Sequence, residues 1–125
     1  MFGSDTAVTV EQSDFLDFPL ERLKLAGKQK FKVIGNLPYA VVSPIVQKVL
    51  SWKGWSEAVF MVQKEVADRM SAKPHSKIYG LLTVSVQSRC TVKKLFAVSK
   101  HCFSPKPEVE SCVIRFDPLA EPLFS

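Results

Sequence analysis

The tetrapeptide Asn36-Leu37-Pro38-Tyr39 combines groups that can hold a planar base by its amino group. The Asn36 side chain and the Leu37 backbone each offer a carbonyl acceptor. Pro38 lacks an N–H and fixes φ, and Tyr39 presents a flat face for stacking. Such a turn can bind the exocyclic amine of a nucleobase during methyl transfer. Asn and Pro are also common in ordinary turns that end strands, so the surrounding elements must decide between these interpretations.

The strands and helices around the tetrapeptide predict an α/β fold with parallel strands. Strands are expected at Val8–Val10, Phe31–Gly35 and Ala58–Val62, the last as a strand buried on both faces. Ser43-Pro44 is typical of an N-cap followed by the first helical residue, and Gly54 ends that helix. A second helix is expected at residues 64–70.

In parallel sheets, ligands bind beyond the carboxyl ends of the strands, so Asp14 and Asn36 are candidate ligand-binding residues. Both residues follow a predicted strand, so we expect them on one edge of one sheet.

The C-terminal part of the chain is less regular. Leu81–Ser88 alternates apolar and polar residues as a strand does, although its length also allows a helix. Val92–Val98 and Cys112–Phe116 predict two strands, and the short connection between them favours antiparallel pairing.

That connection, residues 103–111, is stiffened by two prolines around Lys106. Phe103 at its base could cover the open face of a base that is stacked on Tyr39. The alternative for Phe103 is a place in the core, and Lys106 either meets a phosphate or is simply solvated.

Composition limits the classes of protein that the chain can belong to. With 125 residues and 46% hydrophobic content, it predicts a single domain, residues 1–125, without a secretory signal or a membrane span. Three cysteines without CxxC spacing predict reduced thiols in a cytoplasmic protein and no metal site. Residues 1–20 carry four acids and no Lys or Arg, whereas residues 21–125 carry 17 basic and eight acidic residues, a net charge of +9. This basic part suits a polyanionic partner or, alternatively, is an ordinary solvated surface.

Four segments in this order resemble the ribosomal RNA small-subunit adenine dimethyltransferase family, which is related to the erythromycin-resistance rRNA methylases. They are Asn36–Tyr39, Met61–Arg69, Tyr79-Gly80 and Phe103–Ser111. The resemblance implies a partial Rossmann-like methyltransferase domain that uses S-adenosylmethionine, with parallel strands followed by an antiparallel strand pair. It also implies that Leu81–Ser88 is helical and that the partner is the rRNA of the small ribosomal subunit.

The resemblance also assigns roles to individual residues. Asp14 matches the acid that accepts a hydrogen bond from the adenine of the cofactor, with Phe15 beside the ring. Asn36 contacts the methyl donor as well as the target amine. The residues matched to the target base are Asn36, Leu37, Pro38, Tyr39 and Phe103.

Two parts of the family pattern are not found in this sequence: the Gly-rich cofactor loop with its ribose-binding acid, and the helical C-terminal domain. We therefore expect a fragment that self-associates or exchanges elements and binds S-adenosylmethionine poorly on its own. The alternatives are a non-catalytic RNA-binding module, a large-subunit methylase of the erythromycin-resistance type, and an amino-methylase acting on DNA or glutamine.

Overall fold

The computed structural model describes residues 12–23, 30–102 and 108–120. Within these ranges four strands form one sheet in the order β1-β2-β4-β3, and three α-helices pack against it. The strands are β1 (Phe31–Asn36), β2 (Trp55–Gln63), β3 (Cys90–Val98) and β4 (Ser111–Pro118). The helices are α1 (Val42–Ser51), α2 (Lys64–Met70) and α3 (Leu81–Gln87). The predicted strand at Val8–Val10 lies outside the described residues.

The sheet is mixed, as the sequence predicted. β1 and β2 are parallel and are joined through α1, whereas β4 is antiparallel to both β2 and β3. The carboxyl ends of β1, β2 and β3 and the start of β4 therefore meet at one edge, which we call the upper edge. It is formed by Asn36, Gln63, Val98 and Ser111.

One face of the sheet forms the core with the three helices. Phe60 of β2 and Phe116 of β4 are almost completely buried, and their rings meet edge to face with centroids 5.7 Å apart. The helices add Val46, Met70 and Val86, each with no exposed surface. Because side chains alternate along a strand, these contacts cover only one face of β2 and β4.

The opposite face is open among the described residues, which corrects the expectation that β2 is buried on both faces. Val59 and Met61 of β2 are only partly buried. Ile34, the partner of Val59 on β1, is 83% exposed, and Phe96 on β3 is 58% exposed. We call this surface the open face; no described helix lies over Ile34.

The first helix begins earlier than predicted. Tyr39–Val41 form one turn of 3-10 helix that continues directly into α1, so Val41 and not Ser43 is the N-cap. Pro44 is the third residue of α1. It is tolerated there because the N–H groups of the first turn have no partner within a helix.

The ambiguous segment Leu81–Gln87 is a helix, as the resemblance implied. The Thr83 side chain is fully buried, and its hydroxyl group donates to the Arg69 carbonyl oxygen at the end of α2. It also accepts a hydrogen bond from Gly80 N–H. The sequence alternation is misleading because the polar Thr83 faces the core while Val84 is exposed.

Among the described residues, no helix is long and apolar enough to span a membrane.

Phe116→Ala should lower the free energy of unfolding by about 3–5 kcal/mol, because it removes a buried ring and leaves a cavity between β2 and α-helical side chains. Phe96→Ala is the control, since that ring is largely exposed, and should cost about 1 kcal/mol or less. Urea unfolding followed by circular dichroism measures both. Equal losses in the two variants would contradict this description of the core.

Candidate functional site at the upper edge of the sheet

The turn after β1 is held by one backbone hydrogen bond and one buried side chain. Asn36 pairs in register with Met61 and is exposed at the edge. Leu37 N–H donates to the Met61 carbonyl oxygen at 3.0 Å, and the Leu37 side chain is buried in the core. The ladder between β1 and β2 thus continues for one residue past Asn36 and fixes the backbone that carries the Asn36 side chain.

Pro38 and Tyr39 complete the turn. Pro38 has φ −61° and ψ 143°, and its carbonyl oxygen accepts a hydrogen bond from Val41 N–H at 3.0 Å. Tyr39 begins the short 3-10 helix and is 65% exposed. A proline restricts the turn to a narrow range of conformations, so the exposed Tyr39 ring follows Asn36 by three residues in a stiff segment. Asn36, Pro38 and Tyr39 are therefore exposed on one continuous turn, while the Leu37 side chain anchors it in the core.

The connection between β3 and β4 leaves from and returns to the same edge. Glu110 ties its two sides together, because its carboxylate accepts a hydrogen bond from Lys100 N–H at 2.7 Å and its backbone carbonyl accepts one from Lys64 N–H at 2.9 Å. Phe103 and Lys106 lie outside the described residues, so the role of Phe103 as the second aromatic stays a prediction.

A depression of about 410 Å³ opens between the end of β2 and this connection. Gln63, Lys64, Ile78, Lys100 and Glu110 are among its lining residues. Its volume falls in the range of small-ligand pockets, and Gln63 lies two residues beyond Met61, the strand partner of Asn36.

Two lysines share one carboxylate beside this depression. Lys64 Nζ and Lys94 Nζ lie 2.9 and 3.0 Å from the two oxygens of Asp68. Partial burial alone would raise the pKa of the Asp68 carboxyl group, but the hydrogen bonds and charges of both lysines outweigh it and hold that pKa below its usual value of 3.8. Asp68 is therefore ionised at neutral pH and anchors β3 to α2.

Asp14 and Phe15 lie in a turn that packs along the other end of β1. Asp14 Oδ1 accepts a hydrogen bond from Leu16 N–H at 3.0 Å, and its side chain is exposed. Lys48 of α1 donates to the carbonyl oxygens of Phe15 and Phe18, and its ammonium group lies 5.0 Å from the centre of the Phe15 ring.

A depression of about 240 Å³ places Phe15 against Phe31, Val33 and Trp52. Phe15 thus packs against the first half of β1, the strand that ends at Asn36. The proposed cofactor roles of Asp14 and Phe15 stay predictions.

Two of the three cysteines, Cys90 and Cys112, are poorly suited to act as nucleophiles. Burial raises the pKa of the Cys90 thiol to about 12, with a further contribution from Asp117, and burial raises the pKa of the Cys112 thiol as well. Cys102 is exposed, and none of the three cysteines forms a disulfide. Within the described residues, no cluster of His, Cys, Asp and Glu could hold a metal ion.

Comparison with known proteins decides the family. The sequence profile of the ribosomal RNA adenine dimethylase family matches residues 1–125, the whole chain. The chain belongs to this family.

Three relatives illustrate the match. The ribosomal RNA small subunit methyltransferase A of Oleidesulfovibrio alaskensis is 45% identical over 120 residues, which are 93% of this chain and 42% of that protein. A dimethyladenosine transferase from Plasmodium falciparum superposes with a TM-score of 0.69 at 33% identity, over 77% of this chain and 35% of that structure. The 23S rRNA methyltransferase ErmE superposes with a TM-score of 0.70 at 26% identity, over 90% of this chain and 43% of that structure.

The chain thus spans less than half the length of these curated and structural relatives. The shared fold is the Rossmann-like methyltransferase fold, which confirms the fold class predicted from the sequence.

Sequence reasoning did not identify Glu110 or Lys48 as positioning residues. Glu110 lies in a segment that had been singled out, but its two hydrogen bonds join segments 10 and 46 residues away. Lys48 lies 33 residues from Phe15. Neither pattern has a local signal, because both depend on long-range contacts.

Asp68→Asn should make the stability of the folded state depend less on pH in the acid range. A carboxyl group whose pKa is lowered on folding stabilises the native state above about pH 4, and this contribution disappears as the pH falls through the lowered pKa. The variant should therefore be less stable than the parent at pH 7 and approach it below pH 4. Thermal unfolding between pH 2 and 7 measures this difference. Glu65→Gln removes an exposed ion pair with Arg69 and should leave the decrease of stability at low pH nearly unchanged.

Proposed function

We propose that this chain carries the target-base part of an enzyme that dimethylates the exocyclic amino group of adenines in small-subunit rRNA, with S-adenosylmethionine as methyl donor. The observation that carries the proposal is the stiff, exposed turn Asn36–Tyr39 at the carboxyl end of β1, in a chain whose family is that of the rRNA adenine dimethylases. The names of the curated relatives favour the small subunit.

The residues of the turn suit this reaction because the amino nitrogen of adenine is a poor nucleophile, its lone pair being delocalised into the ring. Asn36 Oδ1 and the Leu37 carbonyl oxygen accept its two N–H groups and pull the nitrogen toward tetrahedral geometry. The lone pair then points toward the incoming methyl group. Catalysis comes mainly from this orientation, and no strong general base is needed because the nitrogen becomes acidic once it is alkylated.

Tyr39 holds the base by stacking. An adenine within folded RNA must leave its stack before a protein can reach the amino group, and an aromatic face compensates part of that cost. A second methylation needs only one remaining N–H and room for the first methyl group, which an open edge provides. Phe103 is proposed as the aromatic on the other side of the base.

Asp14 and Phe15 are chemically suited to bind the adenine end of the cofactor. S-adenosylmethionine, when bound, supplies a methyl group activated on a sulfonium. Asp14 keeps an exposed carboxylate of which one oxygen is used by Leu16 N–H, and the second oxygen can accept from an adenine amino group. Phe15 would line the ring and Asn36 would face the methyl group. We propose that residues 1–125 alone bind the cofactor weakly, since no segment of this sequence matches the family's Gly-rich loop.

A second proposal concerns assembly. β1 is an edge strand among the described residues, and edge strands expose unpaired N–H and C=O groups. On the same strand Ile34 is 83% exposed on the open face. We propose that residues 1–125 self-associate or exchange elements through β1 when isolated.

The similarity to ErmE favours one competing function, the methylation of large-subunit rRNA. Its TM-score of 0.70 over 90% of this chain is as good as that of the dimethyladenosine transferase. The choice of ribosomal subunit separates the two functions.

The decisive experiment supplies a labelled methyl donor and unmodified small or large subunits to the full-length protein. We expect label in the small subunit. Asn36→Ala should lower kcat by about a hundredfold or more, because the amine loses an orienting acceptor. Asn36→Asp keeps the acceptor oxygens and should retain more activity than Asn36→Ala. Label in the large subunit alone would overturn the proposed substrate in favour of the ErmE-like activity.

Sedimentation of residues 1–125 at micromolar concentration tests the assembly proposal. Dimers or larger species are expected, and Ile34→Asp should shift them toward monomer because it places a charge on the open face. Lys73→Asp makes a charge change at an exposed position in the segment between α2 and α3, outside β1, and serves as the control. A folded monomer in the parent chain would contradict the proposal.

A further inference from the structure

The charges of this chain are segregated along the sequence in a way that the target-base site does not explain. No Asp or Glu occurs between Asp68 and Glu108. The basic residues within that interval are Arg69, Lys73, Lys77, Arg89, Lys93, Lys94, Lys100 and Lys106. This interval includes the loop between α2 and α3, residues 71–80, which we call the α2–α3 loop.

The α2–α3 loop holds two lysines that no acid neutralises within the described part of the chain. Lys64 and Lys94 are both paired with Asp68, and Arg115 is paired with Glu57 and Asp117. Neither Lys73 nor Lys77 takes part in an ion pair among the described residues, and both are exposed. Their charges are therefore available to a partner.

The loop is fixed at both ends by side chains of α3. Gln87 Nε2 donates to the carbonyl oxygens of Met70 and Ala72 at 2.9 and 3.0 Å. Thr83 links Gly80 N–H to the Arg69 carbonyl oxygen. A loop held in this way loses less conformational entropy when a ligand binds, so its cations are preorganised.

Within the loop the backbone makes two successive turns. Ser76 N–H donates to the Lys73 carbonyl oxygen and Tyr79 N–H to the Ser76 carbonyl oxygen, both at 3.2 Å. His75 between the lysines has φ 70°, in the left-handed region. A depression of about 430 Å³ follows, with Lys77 and the partly exposed ring of Tyr79 in its wall.

The loop reaches the upper edge of the sheet. Ile78 lines the same depression as Gln63 and Lys64, the residues at the junction of β2 and α2. The loop is therefore near the end of β2, and β2 is the hydrogen-bonded neighbour of the strand that carries Asn36.

We propose that the α2–α3 loop binds the RNA backbone beside the target adenine, with Lys73 and Lys77 contacting phosphates of flanking nucleotides. The inference rests on the proposed function for its choice of RNA. Unpaired, preorganised lysines at the rim of a base-binding edge match a partner with one negative charge per nucleotide. These contacts orient the RNA and raise affinity without reading its sequence.

The opposite edge of the sheet supplies a matched control. Lys30 and Lys53 line a depression of about 300 Å³ together with Trp55, the first residue of β2, and Pro118, the last residue of β4. These two lysines also form no ion pair among the described residues. Replacing them removes the same charge at the end of β2 remote from Asn36.

The test compares Lys73→Gln/Lys77→Gln with Lys30→Gln/Lys53→Gln in the full-length protein. Binding of a small-subunit rRNA fragment is followed by fluorescence anisotropy at several salt concentrations. Loss of two phosphate contacts should weaken binding on the order of tenfold or more and lower the slope of log K against log salt by about two. The control pair should change affinity less than twofold, and Lys73→Arg/Lys77→Arg should restore binding.

Two results would overturn the inference: equal losses in both double variants, which indicate a general charge effect, or an unchanged salt slope in Lys73→Gln/Lys77→Gln. In the second case the loop serves another partner, such as an acidic protein. Because the readout is binding, it is independent of methyl transfer. A wild-type protein that binds rRNA through these lysines but methylates neither subunit would refute the proposed function and leave this inference standing.

Discussion

The hydrogen bond from Leu37 N–H to the Met61 carbonyl oxygen fixes the position of the backbone at the candidate site. It extends the parallel pairing of β1 and β2 by one residue and holds the chain in place where it turns out of the sheet. The Leu37 side chain enters the core at the same point, so the turn cannot swing away without exposing apolar surface. Asn36 and Tyr39 are exposed on a backbone that is itself well fixed, as a site needs when it works by orienting a weak nucleophile.

The two faces of the sheet have different composition and different roles. The face formed by Phe60, Phe116 and the helices stabilises the strands, and it is filled with apolar side chains. On the open face, Lys32, Glu57, Arg115 and Asp117 form a network of ion pairs next to the exposed Ile34. Among the described residues this face is accessible at Ile34, which is the physical basis of the self-association proposal.

Local patterns in the sequence were sufficient to predict much of this fold. The parallel pair, the antiparallel pair and the turn after β1 follow from short apolar runs and from Asn and Pro at their ends. The alternation of polar and apolar residues in Leu81–Gln87 did not predict the helix. Thr83 is polar but buried, because its hydroxyl group donates a hydrogen bond to the Arg69 carbonyl oxygen, a tertiary contact that the local sequence does not reveal. The start of α1 was misplaced because a 3-10 turn precedes it. The contact that holds the turn around Phe15 and Phe18 had no local signal either, since it comes from Lys48 in a distant helix.

In the proposed function, Asn36 and Leu37 bind both N–H groups of one adenine for successive methylation. Nucleoside mass spectrometry of unmodified small-subunit rRNA, after incubation with the full-length protein and its methyl donor, tests this claim most directly. We predict N6,N6-dimethyladenosine with the parent protein and its loss in Asn36→Ala. Methylation of another base, or undiminished dimethyladenosine in Asn36→Ala, would contradict it.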